Sequence, residues 1–425
     1  MKKALIITYY WPPAGGSGVQ RWLKFVKYFR DFGIEPVVYT VENPNYPILD
    51  ESLFKDIPNN IEILKQPIWE PNNLFAFFGK KKTESAGFLN PNPSFFGKTL
   101  QYIRANYFIP DARKFWVKPS IKYLNKYLKL NKIEVVITTG PPHSLHLIGL
   151  NLKKELNIKW IADFRDPWTE IDYFQQLPLT KKAIKKHQFL EKEVLKNADA
   201  VLVVGKTMNE KFSKFNSNVV TVTNGFDGEI SETSVELDSK FTVTHIGLMN
   251  ADRNPKILWE VLSEIIAENK EFANDFELKL IGKADASVVE DISTHQLSRN
   301  IHVIDYVTHD KVIEFQKKSQ VLLLIVNNVP SAKGIITGKI FEYLMVKRPI
   351  LGIAPLNGDV AKIITETNSG VVIDFSDEIG LKKAILELYA KFKLGNLTVE
   401  SKNIAQFQRK ELTRKVSEII NMTIE

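Results

Sequence analysis

Lys3-Ala4-Leu5-Ile6-Ile7-Thr8 is a short apolar run that ends in the loop Pro12-Pro13-Ala14-Gly15-Gly16-Ser17-Gly18. Val19, Trp22, Leu23, Val26 and Phe29 then recur at helical spacing up to a stop at Gly33, and Pro36 to Val41 is apolar again. This is a strand, a glycine loop, a helix and a second strand, the opening of a Rossmann-like half. Glycine lets a ligand approach the backbone, and the helix start behind it offers free N–H groups and a positive dipole end to a phosphate. The loop lacks the full G-x-G-x-x-G spacing, and a plain tight turn explains the glycines equally well.

The pattern extends outward from this unit. Unalternated apolar runs at Ile61 to Leu64, Glu134 to Thr138, Lys159 to Ala162, Ala200 to Val204 and Val219 to Thr223 read as buried parallel strands. Helical stretches such as His143 to Leu156 and Lys181 to Lys196 separate them. After Asn224-Gly225-Phe226-Asp227 the chain turns polar, and a second α/β series begins at Phe241 to Ile246. The expected organisation is a first domain over 1–227, a linker over 228–239, a second domain over 240–397 and a C-terminal helix over 398–425. The apolar stripe Phe407, Leu412, Val416, Ile419 and Ile420 predicts that this helix crosses back onto the first domain.

At 425 residues, 44% hydrophobic and 25% charged, the chain has the composition of a globular protein. The absence of cysteine excludes disulfides, thiolate metal sites and a cysteine nucleophile, and suits a reducing compartment. The first apolar run is too short for a signal peptide, and no stretch approaches the roughly 20 apolar residues of a membrane span. Net charge is +8, and residues 1–130 carry 19 Lys and Arg against 10 Asp and Glu. No nucleic-acid motif accompanies that basicity, so nucleic acid is not expected as a partner. Residues 66–130 interleave aromatics (Trp69, Phe75, Phe77, Phe78, Phe88, Phe95, Phe96, Tyr102, Tyr107, Phe108, Phe115, Trp116) with Lys80-Lys81-Lys82, Lys98, Arg104, Arg113 and Lys114. Such an insertion either packs into the core or presents an acceptor or anionic membrane surface.

Three further segments carry candidate chemistry. In Lys333-Gly334-Ile335-Ile336-Thr337-Gly338-Lys339-Ile340-Phe341-Glu342, Thr337 and Gly338 fall at a helix entrance, Lys339 in its first turn and Glu342 one turn on. Backbone donors with a lysine suit a diphosphate, and a carboxylate suits ribose hydroxyls, although a capped helix with a surface lysine reads the same. Thr138-Thr139-Gly140-Pro141-Pro142-His143-Ser144 and Asp163-Phe164-Arg165-Asp166-Pro167-Trp168 each follow a strand, where α/β sheets bind ligands. His143, Asp163 and Asp166 are the catalytic candidates, with mutual satisfaction of Asp163, Arg165 and Asp166 as the structural alternative. His143 and His146 have the spacing of two metal ligands, but no third ligand follows, and no metal or cofactor is expected.

In order along the chain, Gly15-Gly16-Ser17-Gly18-Val19-Gln20-Arg21, Asn224-Gly225-Phe226-Asp227, His245-Ile246-Gly247 and Gly338-Lys339-Ile340-Phe341-Glu342-Tyr343-Leu344 with Lys347-Arg348-Pro349-Ile350 resemble the GT-B glycosyltransferases of the large retaining group that uses nucleotide-sugar donors. The resemblance covers nearly the whole chain. It implies two Rossmann-like domains with an active-site cleft between them, and a cytoplasmic enzyme of bacterial surface polysaccharide synthesis, peripheral on the inner face of the membrane. The implied partners are a UDP- or GDP-sugar donor and a glycan or lipid-linked acceptor. Gly15, Gly16, Arg253, Thr337, Gly338, Lys339 and Glu342 are then the donor-binding residues. Two departures matter. The arginine usual after the second-domain glycine is Leu248 here, and Gly334 stands where the E-x7-E motif has its first glutamate. A nucleotide-sugar epimerase and a non-catalytic glycan-assembly protein on a degenerate transferase fold are the competing functions.

Overall fold

A computed structural model of the chain describes residues 1–70, 95–228, 230, 235–305, 307 and 309–425. It divides into two units, one of Met1–Asn224 with Arg409–Glu425, the other of Gly225–Gln408.

The first unit is built on seven parallel strands: β1 (Lys2–Ile7), β2 (Ile34–Val41), β3 (Glu62–Gln66), β4 (Val135–Gly140), β5 (Lys159–Phe164), β6 (Ala200–Val203) and β7 (Val219–Thr221). Their spatial order is β3-β2-β1-β4-β5-β6-β7. Successive side chains alternate between two cores, Leu5 and Ile7 entering one and Ala4 and Ile6 the other, which is why the strands are apolar throughout rather than every second residue. Helices α1 (Ser17–Tyr28), α2 (Phe95–Tyr107), α3 (Lys114–Leu130), α4 (Ser144–Leu156), α5 (Lys181–Asn197) and α6 (Lys206–Phe212) connect the strands. The order reverses between β1 and β4, so the loops leaving these two strands diverge and open a crevice at their carboxyl ends. Those loops are the glycine loop and the Pro141-Pro142 loop.

The second unit repeats the plan with β8 (Phe241–Ile246), β9 (Phe276–Ile281), β10 (Ile301–Ile304), β11 (Val321–Ile325), β12 (Ile350–Ile353) and β13 (Gly370–Ile373), all parallel in the order β10-β9-β8-β11-β12-β13. Its helices are α7 (Lys256–Glu268), α8 (Lys270–Asp275), α9 (Ala286–Thr294), α10 (His309–Lys318), α11 (Lys339–Val346), α12 (Asp359–Glu366) and α13 (Glu378–Lys393). The reversal now lies between β8 and β11, whose following loops carry Gly247 and the segment leading to Lys339. The fold class is therefore α/β with two Rossmann-like sheets.

Residues 225–228, 230, 235–239 and 398–408 belong with the second unit. Phe226 is 3% exposed and its N–H donates to the Phe407 carbonyl. Helix α14 (Arg409–Ile424) belongs to the first unit, where Leu412, Val416, Ile419 and Ile420 enter the core face that α1 also covers. Phe407, read from sequence as part of that stripe, instead packs on Phe341 of the second unit at 5.4 Å.

The aromatic segment is divided. Trp116 is fully buried and stacks on Tyr39 at 5.0 Å, whereas Trp69, Tyr102 and Tyr107 are exposed. Phe75, Phe77, Phe78, Phe88 and Lys80-Lys81-Lys82 lie outside the described residues. No helix among the described residues is long and apolar enough to cross a membrane.

Candidate active site

In the second unit, β8 ends at His245-Ile246 and the chain turns at Gly247 with φ +105°. A Cβ at Gly247 would lie 2.7 Å from Lys339 Cε and 3.0 Å from Nζ, so only glycine lets that side chain lie across the strand end. His245 Nδ1 donates to the Leu323 carbonyl at 3.1 Å. That leaves Nε2 as an acceptor, and Lys339 Nζ donates to it at 3.2 Å. Burial holds His245 well below its ordinary pKa, with the Lys339 and Arg253 cations pushing the same way, so the ring stays neutral. Burial also pulls Lys339 down to about 7; Arg253 adds to the fall and Glu342 opposes it.

Arg253 supplies the second cation. Its Nη1 donates to the Leu248 carbonyl at 2.8 Å, so a residue five positions later reaches back to the place where the resemblance expects an arginine. Helix α11 starts at Lys339 after Gly338, which caps it with no side-chain acceptor, and the Lys339 N–H finds Thr337 Oγ1 at 3.3 Å. The helix entrance thus keeps backbone donors and a positive dipole end beside the two cations. Glu342, half-buried one turn on, accepts from Gln316 Nε2 at 3.1 Å, and Gln316 is wholly buried. The arrangement suits a diphosphate at Lys339 and Arg253 with a hydroxyl-bearing group at Glu342.

In the first unit, Gly15 donates to the Ile48 carbonyl at 2.9 Å and Gly16, at φ +83°, stands at the N-cap of α1. Arg165 Nη1 donates to the Gly18 carbonyl at 2.6 Å and Nη2 to the Pro141 carbonyl, so one guanidinium ties the glycine loop to the Pro141-Pro142 loop. Asp163 is fully buried. It accepts from Arg21 Nη2 at 2.8 Å, Trp22 Nε1 at 2.6 Å and Thr139 Oγ1 at 2.8 Å. Burial alone would raise its pKa, but Arg21 and the other donors hold it below the ordinary value. Its bonds run to Arg21, Trp22 and Thr139 rather than to Arg165, which corrects the expectation that Asp163, Arg165 and Asp166 satisfy one another. A carboxylate enclosed by such donors positions α1 and has no oxygen left for a reacting group.

Asp166 keeps an exposed surface; desolvation lifts its carboxyl above the ordinary value, Arg165 opposes the lift and Asp172 adds to it. His143 stacks on Trp168 at 5.1 Å and 5°. Trp168 is itself fixed from α5, its Nε1 donating to His187 Nδ1 at 3.0 Å and its backbone N–H to Glu191 at 3.1 Å. Burial pushes His143 well below its ordinary pKa, and His146 and Arg165 add to the push. Among the described residues no group of three or more His, Asp or Glu is placed to hold a metal ion. Sequence reading singled out His143, Asp166, Arg253, Lys339 and Glu342, but did not name His245, Gly247, Arg165 or Gln316 as site residues. The tripeptide His245-Ile246-Gly247 was visible as a motif; that its imidazole would seat Lys339, 94 residues away, was not.

Residues 240–391, within the second unit, match the family model described as glycosyl transferases group 1. A search of curated proteins finds no match to the chain. Among solved structures, the chain is similar to TarM of S. aureus in complex with Fondaparinux, alpha-GlcNAc-glycerol and UDP, at 12% identity and TM-score 0.56, covering 100% of this chain and 99% of that one. It is similar to WaaG, a glycosyltransferase involved in lipopolysaccharide biosynthesis, at 13% identity and TM-score 0.54, covering 98% and 99%. The UDP-GlcNAc 2-epimerase of Methanocaldococcus jannaschii is similar at 12% identity and TM-score 0.53, covering 99% of both chains. At such identities the likeness is one of fold, and it is shared by transferases and epimerases alike.

Proposed function

We propose that the chain, whose residues 240–391 match the family model of group 1 glycosyl transferases, is a glycosyltransferase of GT-B fold that moves a sugar from a UDP- or GDP-sugar to a hydroxyl of a glycan or lipid-linked acceptor in surface polysaccharide synthesis. The observation that carries the reading is Lys339: a half-buried side chain seated on His245 over Gly247, beside Arg253 and a helix entrance, with no carboxylate in salt-bridge contact among the described residues. A partly desolvated lysine so arranged regains its full charge when an anion sits beside it, which suits a diphosphate.

In this reading Lys339 and Arg253 neutralise the diphosphate as it departs, with the α11 entrance at Thr337 and Gly338 adding backbone donors. Charge that grows in the transition state is met by donors already oriented, which is where preorganised electrostatics lower a barrier most. Glu342, steadied by Gln316, accepts from ribose hydroxyls. Gly15 and Gly16 let phosphate oxygens approach the start of α1 without a side chain between them. On the acceptor side His143 and Asp166 are the groups able to hold or receive the acceptor proton, while Asp163 keeps the α1 and β5 ends in register. Gly334 in place of a glutamate means that the donor sugar is read by other groups.

The exposed Tyr102, Ile103 and Tyr107 on α2, close to Lys114, support reversible attachment of the first unit to an anionic membrane surface, where a lipid-linked acceptor would be presented. The deciding experiment for the reaction is thermal-shift screening against UDP, GDP, ADP and their sugars, followed by donor turnover with and without acceptor. Stabilisation by RT ln(1 + [L]/Kd) is expected from a nucleotide diphosphate. Transfer requires acceptor-dependent release of nucleotide. Conversion of the donor sugar without acceptor identifies an epimerase, and binding without turnover a non-catalytic protein.

A further inference from the structure

Asn250, Asn327 and Ser331 lie in the two loops that leave β8 and β11, the strands on either side of the reversal in the second unit. Asn250 opens the turn Ala251–Arg253 and Ser331 opens the turn Ala332–Gly334. Asparagine and serine at the start of a turn ordinarily bond back to a backbone N–H two or three residues on. Neither side chain does so here. Asn250 Oδ1, Asn327 Oδ1 and Ser331 Oγ are buried atoms, and among the described residues none of them has a hydrogen-bond partner. Asn327 as a whole is only 9% exposed. Asn254, in the same loop as Asn250, shows what a structural asparagine does instead: its Nδ2 donates to Asp291 at 2.6 Å and its Oδ1 accepts from Trp259 Nε1 at 2.7 Å.

The loops hold their course without these side chains. The Met249 N–H donates to the Lys283 carbonyl at 3.0 Å, the Asp285 N–H to the Met249 carbonyl at 2.9 Å and the Val326 N–H to the Ile353 carbonyl at 3.1 Å. The Asn328 N–H donates to the Asp252 carbonyl at 2.8 Å and joins one loop to the other. Each turn is closed by its own main chain, Arg253 N–H on the Asn250 carbonyl and Gly334 N–H on the Ser331 carbonyl, both at 3.0 Å. The backbone is therefore satisfied and the polar side chains are left over. A buried polar atom with no partner costs stability, and three of them in two joined loops at the carboxyl ends of neighbouring strands mark a place where a ligand supplies the missing bonds.

We propose that Asn250, Asn327 and Ser331 are specificity-determining residues for the donor sugar, their amide and hydroxyl groups hydrogen-bonding to its hydroxyls. The inference rests on the nucleotide-sugar reading above. The turn opened by Asn250 ends at Arg253, one of the two cations assigned to the diphosphate, and the sugar of such a donor is joined directly to that diphosphate. The turn opened by Ser331 ends at Gly334, which contributes no side chain of its own. Two amides and a hydroxyl read hydroxyl and acetamido groups without bringing a charge, so the class they fit is a neutral hexose or N-acetylhexosamine. A site built to bond a particular hydroxyl discriminates strongly against a sugar that lacks it or holds it elsewhere, because the protein group is then left unpaired.

The test needs no acceptor. Calorimetry on the full chain measures Kd for UDP and GDP, and for UDP-glucose, UDP-galactose, UDP-N-acetylglucosamine, GDP-mannose and GDP-fucose. Wild type should bind one of the two nucleotides and separate the sugars carried on it by about fivefold or more. Asn250→Ala, Asn327→Leu and Ser331→Ala should each keep the affinity for the bare nucleotide within about twofold, and lower that for the preferred nucleotide-sugar about five- to tenfold. Without ligand their melting temperatures should match or exceed that of wild type, since each substitution removes an unpaired buried atom. Lowered melting temperatures with nucleotide and nucleotide-sugar weakened alike would mean that the three side chains are structural, and would overturn the proposal. An unchanged preference among sugars in all three variants overturns it too, as does a wild type that binds the nucleotide and ignores the sugar. A wild type that binds neither UDP nor GDP overturns the nucleotide-sugar reading itself, and this inference with it.

Discussion

Replacing Lys339 with methionine should stabilise the protein and abolish its recognition of nucleotide. The ammonium releases its proton at about 7 in the folded chain and at its ordinary 10.5 when unfolded. Below pH 7 both states are protonated and the folded one bears the whole cost of a desolvated charge. Between pH 7 and 10.5 the unfolded chain still holds the proton that the folded chain has lost, so stability rises with pH by up to about 1.4 kcal/mol per unit. At pH 7 the cost is on the order of 4 kcal/mol, a ceiling because water admitted on fluctuation softens it. Methionine has similar length, no charge, and room across Gly247. Urea titrations at pH 7, 8 and 9, read by hydrogen exchange of peptides from residues 240–391, isolate the second unit. Lys339→Met should exceed wild type by one to a few kcal/mol (roughly 1–4) at pH 7, with the gap closing toward pH 10. The same variant should lose the stabilisation that UDP or GDP confers on wild type. In the wild-type protein a diphosphate restores the counter-charge and lifts Lys339, so binding near pH 8 should take up close to one proton, seen as a buffer-dependent enthalpy in calorimetry. A Lys339→Met protein that is less stable at pH 7 and still responds to nucleotide, or a binding enthalpy identical in phosphate and Tris, refutes the reasoning.

Asp163→Asn strands the buried Arg21 guanidinium and should cost roughly 3–5 kcal/mol in urea unfolding of the first unit, with specific activity of the folded remainder little changed. Acid should unfold the chain early: His143, His146, His187 and His245 are held below their ordinary 6.5 by burial, so the unfolded state takes up protons first and stability falls as pH drops from about 6.5 toward 4 for His187 and 3 for His146. The raised carboxyls of Asp166 and Glu191 oppose this in part, and a melting temperature flat from pH 7 to 5 would contradict it. Gly247→Ala combines a positive φ with a Cβ on Lys339, and should weaken nucleotide binding at least tenfold in calorimetry, about 1.4 kcal/mol. Sedimentation with anionic vesicles at low salt should carry down wild type but much less of Tyr102→Ser/Tyr107→Ser; equal pelleting with neutral vesicles would mean that the exposed aromatics of α2 serve another purpose.

What a sequence shows of such a site depends on how far apart in the chain its parts lie. The α/β plan was legible because doubly covered strands must be apolar on both faces, and Leu5 to Ile7 or Val321 to Ile325 admit little else. Lys339 and Glu342 were legible because helix spacing puts them a turn apart. The seat of Lys339 was not, since Gly247 and His245 reach it only through the β8–β11 neighbourhood. Asp163 misleads for a related reason. In the run Asp163-Phe164-Arg165-Asp166 the nearby arginine looks like the partner, yet β5 ends at Phe164, so Asp163 stays in the sheet and Arg165 is already in the loop: Asp163 meets Arg21, 142 residues away, while Arg165 leaves for the Gly18 and Pro141 carbonyls. Two carboxylates three residues apart therefore acquire opposite characters. Asp163 is held below its ordinary pKa and used up in bonds, and Asp166 is raised and left accessible. The division follows from where β5 ends: Asp163, still in the strand, is locked by the sheet and its helices, Arg165 ties the loop that follows to its neighbours, and Asp166 is left on the exposed side of that loop, where a substrate can reach it.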